Sequence, residues 1–153
     1  MKKKRGSKGF ITNRRAGFDY DLSESFQAGL VLSGPEVRSV RMNHASLAGS
    51  FVIIKDGEAW LLNAQIMPVK TNAAHLSSEI QTRNRKLLLK KRELDELTQA
   101  KNGGYTIIPT KLLTNGRFIK LEIAIGRGRK KYDKREVIKK REAERSTRRV
   151  SSL

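Results

Sequence analysis

Two short turn sequences constrain the fold of this chain more than any other feature. Asp56-Gly57 lies between the strand-like runs 51–55 and 58–62, and Asn115-Gly116 lies in the same way inside 112–123. Both dipeptides tolerate the positive φ angles of tight hairpin turns, and both are flanked by residues that favour strands. The sequence therefore predicts two antiparallel hairpins.

Further strands are predicted on either side of these hairpins. Apolar residues alternate with aspartates from Phe18 to Leu22, which is the spacing of a strand. Residues 26–32 form either a second strand or a continuation of the first one past a bulge. Residues 105–113 predict one more strand, so the chain has about six.

Two helices are predicted between the strands. Gly34-Pro35 opens a short one that continues to Met42, because proline is well suited to the first helical position. Residues 85–100 have helical composition, and the spacing of the leucines predicts that four of them face a core, namely Leu87, Leu88, Leu94 and Leu97.

About six antiparallel strands with two or three flanking helices predict a mainly β fold. Two ribbons with an inserted helix favour a small closed barrel of the oligonucleotide-binding type. A half-open α+β sandwich is the alternative.

The basic charge of the chain is concentrated at its two ends. Residues 1–15 and 127–153 together carry +15 of the formal +18, and residues 16–126 carry only +3. This predicts a basic disordered arm (1–15), a barrel domain that binds RNA (16–126) and a basic tail (127–153) that is disordered or helical. The apolar stripe of the tail is too thin for a lipid surface, which favours nucleic acid as the anionic partner.

Composition argues against several classes of protein. The chain has no cysteine, which excludes disulfides and thiolate metal sites. No apolar run is long enough for a membrane span or a secretion signal, so a cytoplasmic protein is expected. His44 and His75 have no acidic neighbour at ligand spacing, and Asp19 with Asp21 reads as the solvated face of a strand. We therefore expect neither an enzyme nor a bound cofactor or metal.

Basic residues in the body and the tail have a pattern that suits RNA. In the predicted helix Arg83, Lys86 and Lys90 fall along one side, where they could follow a phosphate backbone. The alternative is that these basic residues form only the solvated face of a helix. In the tail, Tyr132 beside Asp133 lies within a basic block, and an aromatic ring there could stack on an exposed base. A tail that serves only solubility is the alternative.

Seven sequence blocks, in their order and spacing, resemble the SmpB family, the SsrA-binding proteins of bacterial trans-translation. The resemblance runs from about Asn13 to Arg145. The blocks are Phe26-Gln-Ala-Gly-Leu30, Gly34-Pro-Glu-Val-Arg-Ser-Val-Arg41, Asp56-Gly-Glu-Ala-Trp-Leu, Arg83-Asn-Arg-Lys-Leu-Leu-Leu89, Arg92-Glu-Leu94, Gly104-Tyr-Thr106 and Gly126-Arg-Gly-Arg-Lys-Lys-Tyr-Asp-Lys-Arg135.

The resemblance implies a specific function. Members of the family have an oligonucleotide-binding barrel and a basic tail that is disordered in solution. They bind the tRNA-like domain of transfer-messenger RNA and deliver it, with elongation factor Tu attached through the RNA, to ribosomes stalled without a stop codon. The tail probes the decoding centre and the empty mRNA channel of the small subunit, where it becomes helical. The resemblance also implies a monomer.

The resemblance also implies two sets of binding residues. The RNA-facing set is Glu36, Arg38, Ser39, Arg41, Arg83, Arg85, Lys86, Leu88 and Lys90. The ribosome-facing set in the tail is Gly128, Arg129, Lys130, Lys131, Tyr132, Asp133, Lys134 and Arg135. Gln27 replaces the usual glutamate of the family, and Asn43-His44 replaces a glycine and a lysine.

Two other functions remain open on the sequence alone. A structural ribosomal protein or a ribosome assembly factor would also have basic tails around a small domain. A nuclease or an RNA-modifying enzyme would need a catalytic cluster, and the sequence offers none.

Overall fold

Antiparallel strands make up most of the protein. The computed structural model describes residues 9–69, 78–129 and 131–151. The strands in these residues are β1 (Phe10–Thr12), β2 (Tyr20–Leu30), β3 (Ala45–Ser46), β4 (Phe51–Lys55), β5 (Glu58–Leu62), β6 (Gln65–Ile66), β7 (Arg85–Leu88), β8 (Thr106–Leu113) and β9 (Lys120–Gly128). The helices are α1 (Ala16–Asp19), α2 (Gly34–Arg41), α3 (Ser78–Gln81), α4 (Lys91–Asn102) and α5 (Lys131–Ser151).

Six of these strands close into a ring. Hydrogen-bonded neighbours follow the order β8, β4, β5, β7, β2 and β9, and the pairing of β9 with β8 completes the circle. The short strand β1 adds to β8 beyond the point where β4 pairs with it. Fully buried side chains fill the interior, among them Ala28, Leu61, Ile107, Leu121 and Ile123. The predicted closed barrel is confirmed, and the half-open sandwich is not.

The first predicted hairpin is confirmed in detail. β4 and β5 pair from Phe51 with Leu62 to Lys55 with Glu58, so only two residues form the turn. Asp56 has a φ of 52° and Gly57 a φ of 72°, the positive values that such a turn requires when its twist matches that of the strands.

The second hairpin exists, but the predicted tight turn at Asn115-Gly116 is wrong. The last pair joins Leu113 to Lys120, which leaves a connection of residues 114–119. Contacts with distant parts of the chain hold this connection open. The Thr114 N–H donates to the Gly9 carbonyl at 2.9 Å, and the guanidinium of Arg41 donates to the carbonyls of Thr114 and Arg117.

The N-terminal region is more ordered than the sequence indicated. Residues 10–12, predicted to lie in a disordered arm, form β1 because they pair with residues 111–113; residues 1–8 lie outside the described residues. Phe18, predicted in a strand, lies in α1. β2 then runs without interruption to Leu30, with a shift of register between Leu22 and Ser25, so the bulged single strand is the correct alternative.

The segment from Arg85 to Lys90 is a strand and a loop, so the helix predicted from Arg85 begins only at Lys91. Strand β7 pairs with both β5 and β2, and its side chains therefore alternate. Arg85 and Leu87 point inward, whereas Leu88 is 56% exposed and does not face the core. The predicted helical row of Arg83, Lys86 and Lys90 is accordingly wrong.

Helix α2 begins as the sequence predicted, and its first turn has reciprocal caps. The Ser33 hydroxyl accepts from the Glu36 N–H, and the Glu36 carboxylate accepts from the Ser33 N–H at 3.0 Å. In the tail, α5 matches the helical alternative. None of the helices in the described ranges is long and apolar enough to cross a membrane.

Adjacent leucines in β7 test this register directly. We expect Leu87→Ala to lower the free energy of unfolding by about 2–5 kcal/mol, because it leaves a cavity in the core. Leu88→Ala, the matched control one residue along, removes an exposed side chain and should cost well under about 1 kcal/mol. Urea unfolding of both variants measures the difference, and equal losses would contradict the alternating strand.

Candidate nucleic-acid interface

One face of the barrel combines exposed apolar side chains with cations. Three apolar side chains are unusually open for their size: Val31 at 45%, Leu88 at 56% and Phe118 at 69%. Basic residues surround them. We call this face the Leu88 surface and define it by Gly29, Val31, Arg41, Leu88, Lys90, Arg117, Phe118 and Lys120.

Two adjoining hollows shape the Leu88 surface. Their volumes are about 520 and 480 Å³, and both are lined by Gly29, Leu88 and Lys120. Gly29 pairs with Leu88 across the sheet, and a Cβ atom at position 29 would lie 3.2 Å from the Cβ of Leu88. The absence of a side chain at Gly29 thus leaves space for the Leu88 side chain between the two hollows.

The most exposed aromatic ring of this surface lies on the 114–119 connection. The guanidinium carbon of Arg117 is 5.6 Å from the centroid of the Phe118 ring, within the range of a cation–π contact. The two hydrogen bonds from Arg41, at 3.2 Å to the Thr114 carbonyl and 3.3 Å to the Arg117 carbonyl, fix the backbone that leads into this ring. An exposed ring beside cations is suited to stacking on an unpaired base.

The predicted RNA-facing residues that reach solvent have different surroundings. Leu88 and Lys90 lie on the Leu88 surface, and Arg38 is exposed on α2. Lys86 forms an ion pair with Glu58 at 3.0 Å, and both side chains are more than 40% exposed. Such a surface pair is weak and leaves the lysine available to a phosphate.

Three of the predicted RNA-facing residues are instead buried. Glu36, Ser39 and Arg85 have no exposed surface at all, so their side chains have none to offer to RNA in this conformation. The physical reason is that α2 packs its inner face against the barrel and that Arg85 points into it from β7. For these three residues we replace the predicted RNA contact with a structural role.

Glu36 and Arg85 form a buried ion pair at the centre of a larger network. Arg85 Nε donates to Glu36 Oε2 at 2.7 Å, and Arg83 donates to Glu36 Oε1. The four remaining N–H donors of Arg85 reach backbone carbonyls of Ala64, Ile80, Gln81 and Arg83. All five guanidinium donors are therefore satisfied, which is what a buried arginine requires.

The same network determines the charge state of Glu36. Burial raises the pKa of Glu36, but hydrogen bonds from Arg83, from the Ser33 N–H and from Arg85 outweigh that effect, and the pKa lies below its ordinary value. Burial lowers the pKa of Arg85, and the Glu36 carboxylate opposes this. At neutral pH the pair is ionised.

The predicted ribosome-facing residues of the tail lie at the junction of β9 and α5. Gly128 ends β9, where it pairs with Tyr20, and the Arg129 N–H donates to the Asp19 carbonyl at 2.9 Å. Lys134 forms an ion pair with Asp19 at the end of α1, and Arg135 is exposed. Lys130 lies outside the described residues, as do the side chains of residues 131–133, so the stacking role of Tyr132 stays a prediction.

In the part of the chain that the structure describes, no group of three or more His, Asp or Glu is arranged to hold a metal ion. Asp19 ends α1 and pairs with Lys134, so the predicted strand face shared with Asp21 is wrong. His44 lies 3.5 Å from the Pro68 carbonyl, and His75 is outside the described residues.

Several residues of the Leu88 surface were not singled out from the sequence. They are Gly29, Val31, Arg117, Phe118 and Lys120. One signal was available, because Arg117-Phe118 with Lys120 places an aromatic residue among cations, the same pattern that drew attention to Tyr132. Its exposure depends on the long 114–119 connection, which the turn sequence did not predict.

Comparisons with known proteins agree with this architecture. The family described as SmpB protein matches residues 10–152. SsrA-binding proteins of Pseudomonas syringae pv. syringae (strain B728a) and of Roseiflexus sp. (strain RS-1) are 43% and 44% identical over 139 residues, covering 90% of this chain and 86% and 87% of theirs. The one from Synechococcus sp. (strain JA-2-3B'a(2-13)) is 43% identical over 143 residues, covering 93% of this chain and 92% of its own.

A solved structure is also similar. It is described as "tmRNA-SmpB: a journey to the center of the bacterial ribosome". One of its chains is 34% identical, with a TM-score of 0.66 and coverage of 85% of this chain and 94% of its own.

Removing the charge of Glu36 tests the buried network. Glu36→Gln should cost about 3–5 kcal/mol of unfolding free energy at neutral pH, because it leaves Arg85 buried without its counter-charge. Since the folded pKa of Glu36 is lowered, its stabilising effect is complete above the ordinary carboxyl pKa and is lost as the pH falls through the folded value. Urea unfolding across the acid range should therefore show a weaker pH dependence in Glu36→Gln than in the parent. Glu58→Gln, which removes a surface partner, is the control, and a similar loss in both variants would contradict the argument.

Proposed function

The chain belongs to the SmpB family, and on that premise we propose that it is an RNA-binding protein of trans-translation. It binds the tRNA-like domain of transfer-messenger RNA and brings that RNA to ribosomes stalled on messages without a stop codon. It acts in the cytoplasm and by binding alone, without chemistry of its own. Elongation factor Tu is a partner only through the shared RNA.

The single observation that carries the RNA-binding step is the Leu88 surface. Its apolar centre is exposed although a monomer gains nothing by exposing it, and cations stand around it. Rings and aliphatic side chains can pack on bases and riboses while cations contact phosphates, which suits a folded RNA with accessible loops. Because residues 16–126 carry little net charge, their binding to RNA depends on specific contacts of this kind more than on a general positive electrostatic field.

The tail supplies a second binding element. Helix α5 is exposed along most of its length from Arg135 to Arg148, where six basic residues outnumber three acidic ones. A narrow basic helix fits a channel lined by RNA phosphates, such as an mRNA channel without its message. We therefore propose that the barrel binds transfer-messenger RNA, while residues 128–135 and the rest of α5 contact the small subunit. Residues 1–8 remain assigned to a basic arm.

Phe118 gives the sharpest test of the Leu88 surface. We expect Phe118→Ala to weaken binding of the tRNA-like RNA by about 1–3 kcal/mol, because a stacking platform is lost. Tyr105→Ala is the matched control, since Tyr105 is also an exposed aromatic residue beside an arginine. Tyr105 lies just before the first residue of β8, whereas Phe118 lies in the connection that follows the last one. Fluorescence anisotropy with labelled RNA measures both affinities. Equal effects of the two substitutions, or none, would count against the Leu88 surface.

A truncation separates the two binding elements. The cut belongs after Lys130, because Arg127 and Gly128 pair with Asp21 and Tyr20 in the barrel. We expect the protein without residues 131–153 to retain most of its affinity for the tRNA-like RNA and to lose peptide tagging on stalled ribosomes. Binding assays with the RNA and tagging in a reconstituted translation system measure the two steps. Loss of RNA affinity in the truncated protein would refute this division of labour.

A further inference from the structure

Asn115-Gly116, which does not form the tight turn that its sequence predicted, lies in an exposed part of the 114–119 connection. Both residues are exposed, and Gly116 has a φ of 109°, a value that glycine adopts readily. The Asn115 side chain lies beside Gly9. Among the described residues, no backbone hydrogen bond of the connection uses the Gly116 N–H. The Gly116 nitrogen is therefore open to a reaction with the neighbouring side chain.

An asparagine that precedes a glycine can react with its own backbone. The glycine nitrogen attacks Cγ of the asparagine, so that an N–Cγ bond forms and the Cγ–Nδ2 bond breaks. The side-chain nitrogen leaves as ammonia and takes the proton of the glycine N–H with it. Water then opens the cyclic succinimide at either carbonyl, which gives aspartate or isoaspartate. Glycine favours this reaction because it has no side chain to obstruct the attack.

The chain contains a second Asn-Gly pair whose backbone nitrogen is engaged. Asn102 is the last residue of α4, and the Gly103 N–H donates to the carbonyls of Gln99 at 3.0 Å and Ala100 at 3.1 Å. These hydrogen bonds satisfy carbonyls at the end of the helix. Cyclisation at Asn102 must first break this last turn, whereas cyclisation at Asn115 breaks no such contact. The two pairs thus have the same residues in opposite structural states.

A product at Asn115 would alter the Leu88 surface. Arg41 donates to the carbonyls before and after Asn115-Gly116, and this clamp precedes the exposed ring of Phe118. Isoaspartate routes the main chain through Cβ, which adds one backbone atom between the two carbonyls and displaces the ring relative to Arg41. Either product also adds a negative charge beside the cations of the surface, where RNA phosphates would be repelled.

We propose that Asn115-Gly116 is a site of spontaneous deamidation and that its aspartate and isoaspartate products weaken RNA binding at the Leu88 surface. The reaction needs only water, and it follows from the backbone around Asn115. Its effect on RNA rests on the proposed function. The site would limit how long a molecule of this protein keeps its full affinity for RNA.

Mass spectrometry of the full folded chain measures the modification. Trypsin cleaves after lysine and arginine and separates the two sites into the peptides 112–117 and 102–111. Mildly alkaline incubation promotes loss of the proton from the attacking nitrogen. We then expect deamidation in peptide 112–117 to be about tenfold faster than in 102–111, because the last turn of α4 must open first. An unaged sample digested in parallel corrects for deamidation during digestion.

Unfolding provides the control for this measurement. In urea at the same pH both peptides should deamidate at comparable rates, because only the folded structure distinguishes the two Asn-Gly pairs. A folded protein in which Asn115 reacts no faster than Asn102 would overturn the assignment of the site. This measurement needs no RNA, so it decides the chemistry independently of the proposed function.

RNA affinity then tests the consequence. The aged parent should bind the tRNA-like RNA about tenfold more weakly than the fresh parent. Aged Asn115→Gln should keep the affinity of the fresh parent, because its longer side chain does not readily form the succinimide. Asn115→Asp should bind more weakly than the parent. Asn102→Asp, the same charge change at the end of α4, is the matched control and should bind like the parent.

Two binding results would overturn the consequence. The first is an unchanged affinity in parent protein whose Asn115 is shown to be deamidated. The second is an equal loss of affinity in aged Asn115→Gln and in the aged parent. A fresh parent that binds no tRNA-like RNA would instead refute the proposed function and leave the mass-spectrometric result standing.

Discussion

The buried ion pair between Glu36 and Arg85 is the interaction on which the arrangement of the binding face depends. Glu36 caps the start of α2, neutralises Arg85 and also accepts from Arg83, so one carboxylate joins a helix to the strand beside the Leu88 surface. Arg85 in turn donates to backbone carbonyls from two separate places in the chain, Ala64 and the adjacent Ile80 and Gln81. A buried ion pair adds little net stability over apolar packing, but here its directional hydrogen bonds join α2 to β7 and to the backbone at Ala64, Ile80 and Gln81. Leu88, three residues after Arg85, is held outward as a result.

Local sequence signals predicted the fold where the structure is locally determined. The Asp56-Gly57 hairpin and the start of α2 at Ser33 to Glu36 need only neighbouring residues, and both formed as expected. The helix predicted from Arg85 to Leu89 was wrong because the leucines of this run suit a helix or a strand equally well. Pairing with β5 and β2 decided the outcome, and those partners are distant in the chain. The tight turn predicted at Asn115-Gly116 was also wrong because of contacts with distant residues. Hydrogen bonds with Arg41 and Gly9 hold this connection open.

The sequence predicted which segments of the chain surround the candidate site, but not which of their side chains face solvent. The resemblance to the family pointed to the segments 36–41 and 83–90, and Leu88 and Lys90 of the second segment lie on the Leu88 surface. It did not distinguish side chains that face outward from those that hold the face together. A sequence block contains both, and only the strand register and the burial of Glu36, Ser39 and Arg85 separate them.

Strand β9 runs from one proposed binding element toward the other. It begins at Lys120 on the Leu88 surface and ends at Gly128, where the tail emerges, so it spans about 30 Å. Pairing with β2 on one side and β8 on the other keeps this length constant. The point at Gly128 where the tail begins is therefore at a fixed distance from the Leu88 surface, which limits the loop entropy that opposes a second contact. In the proposed function, the paired strands of the barrel would therefore set the distance between the surface that binds transfer-messenger RNA and the point where the tail begins.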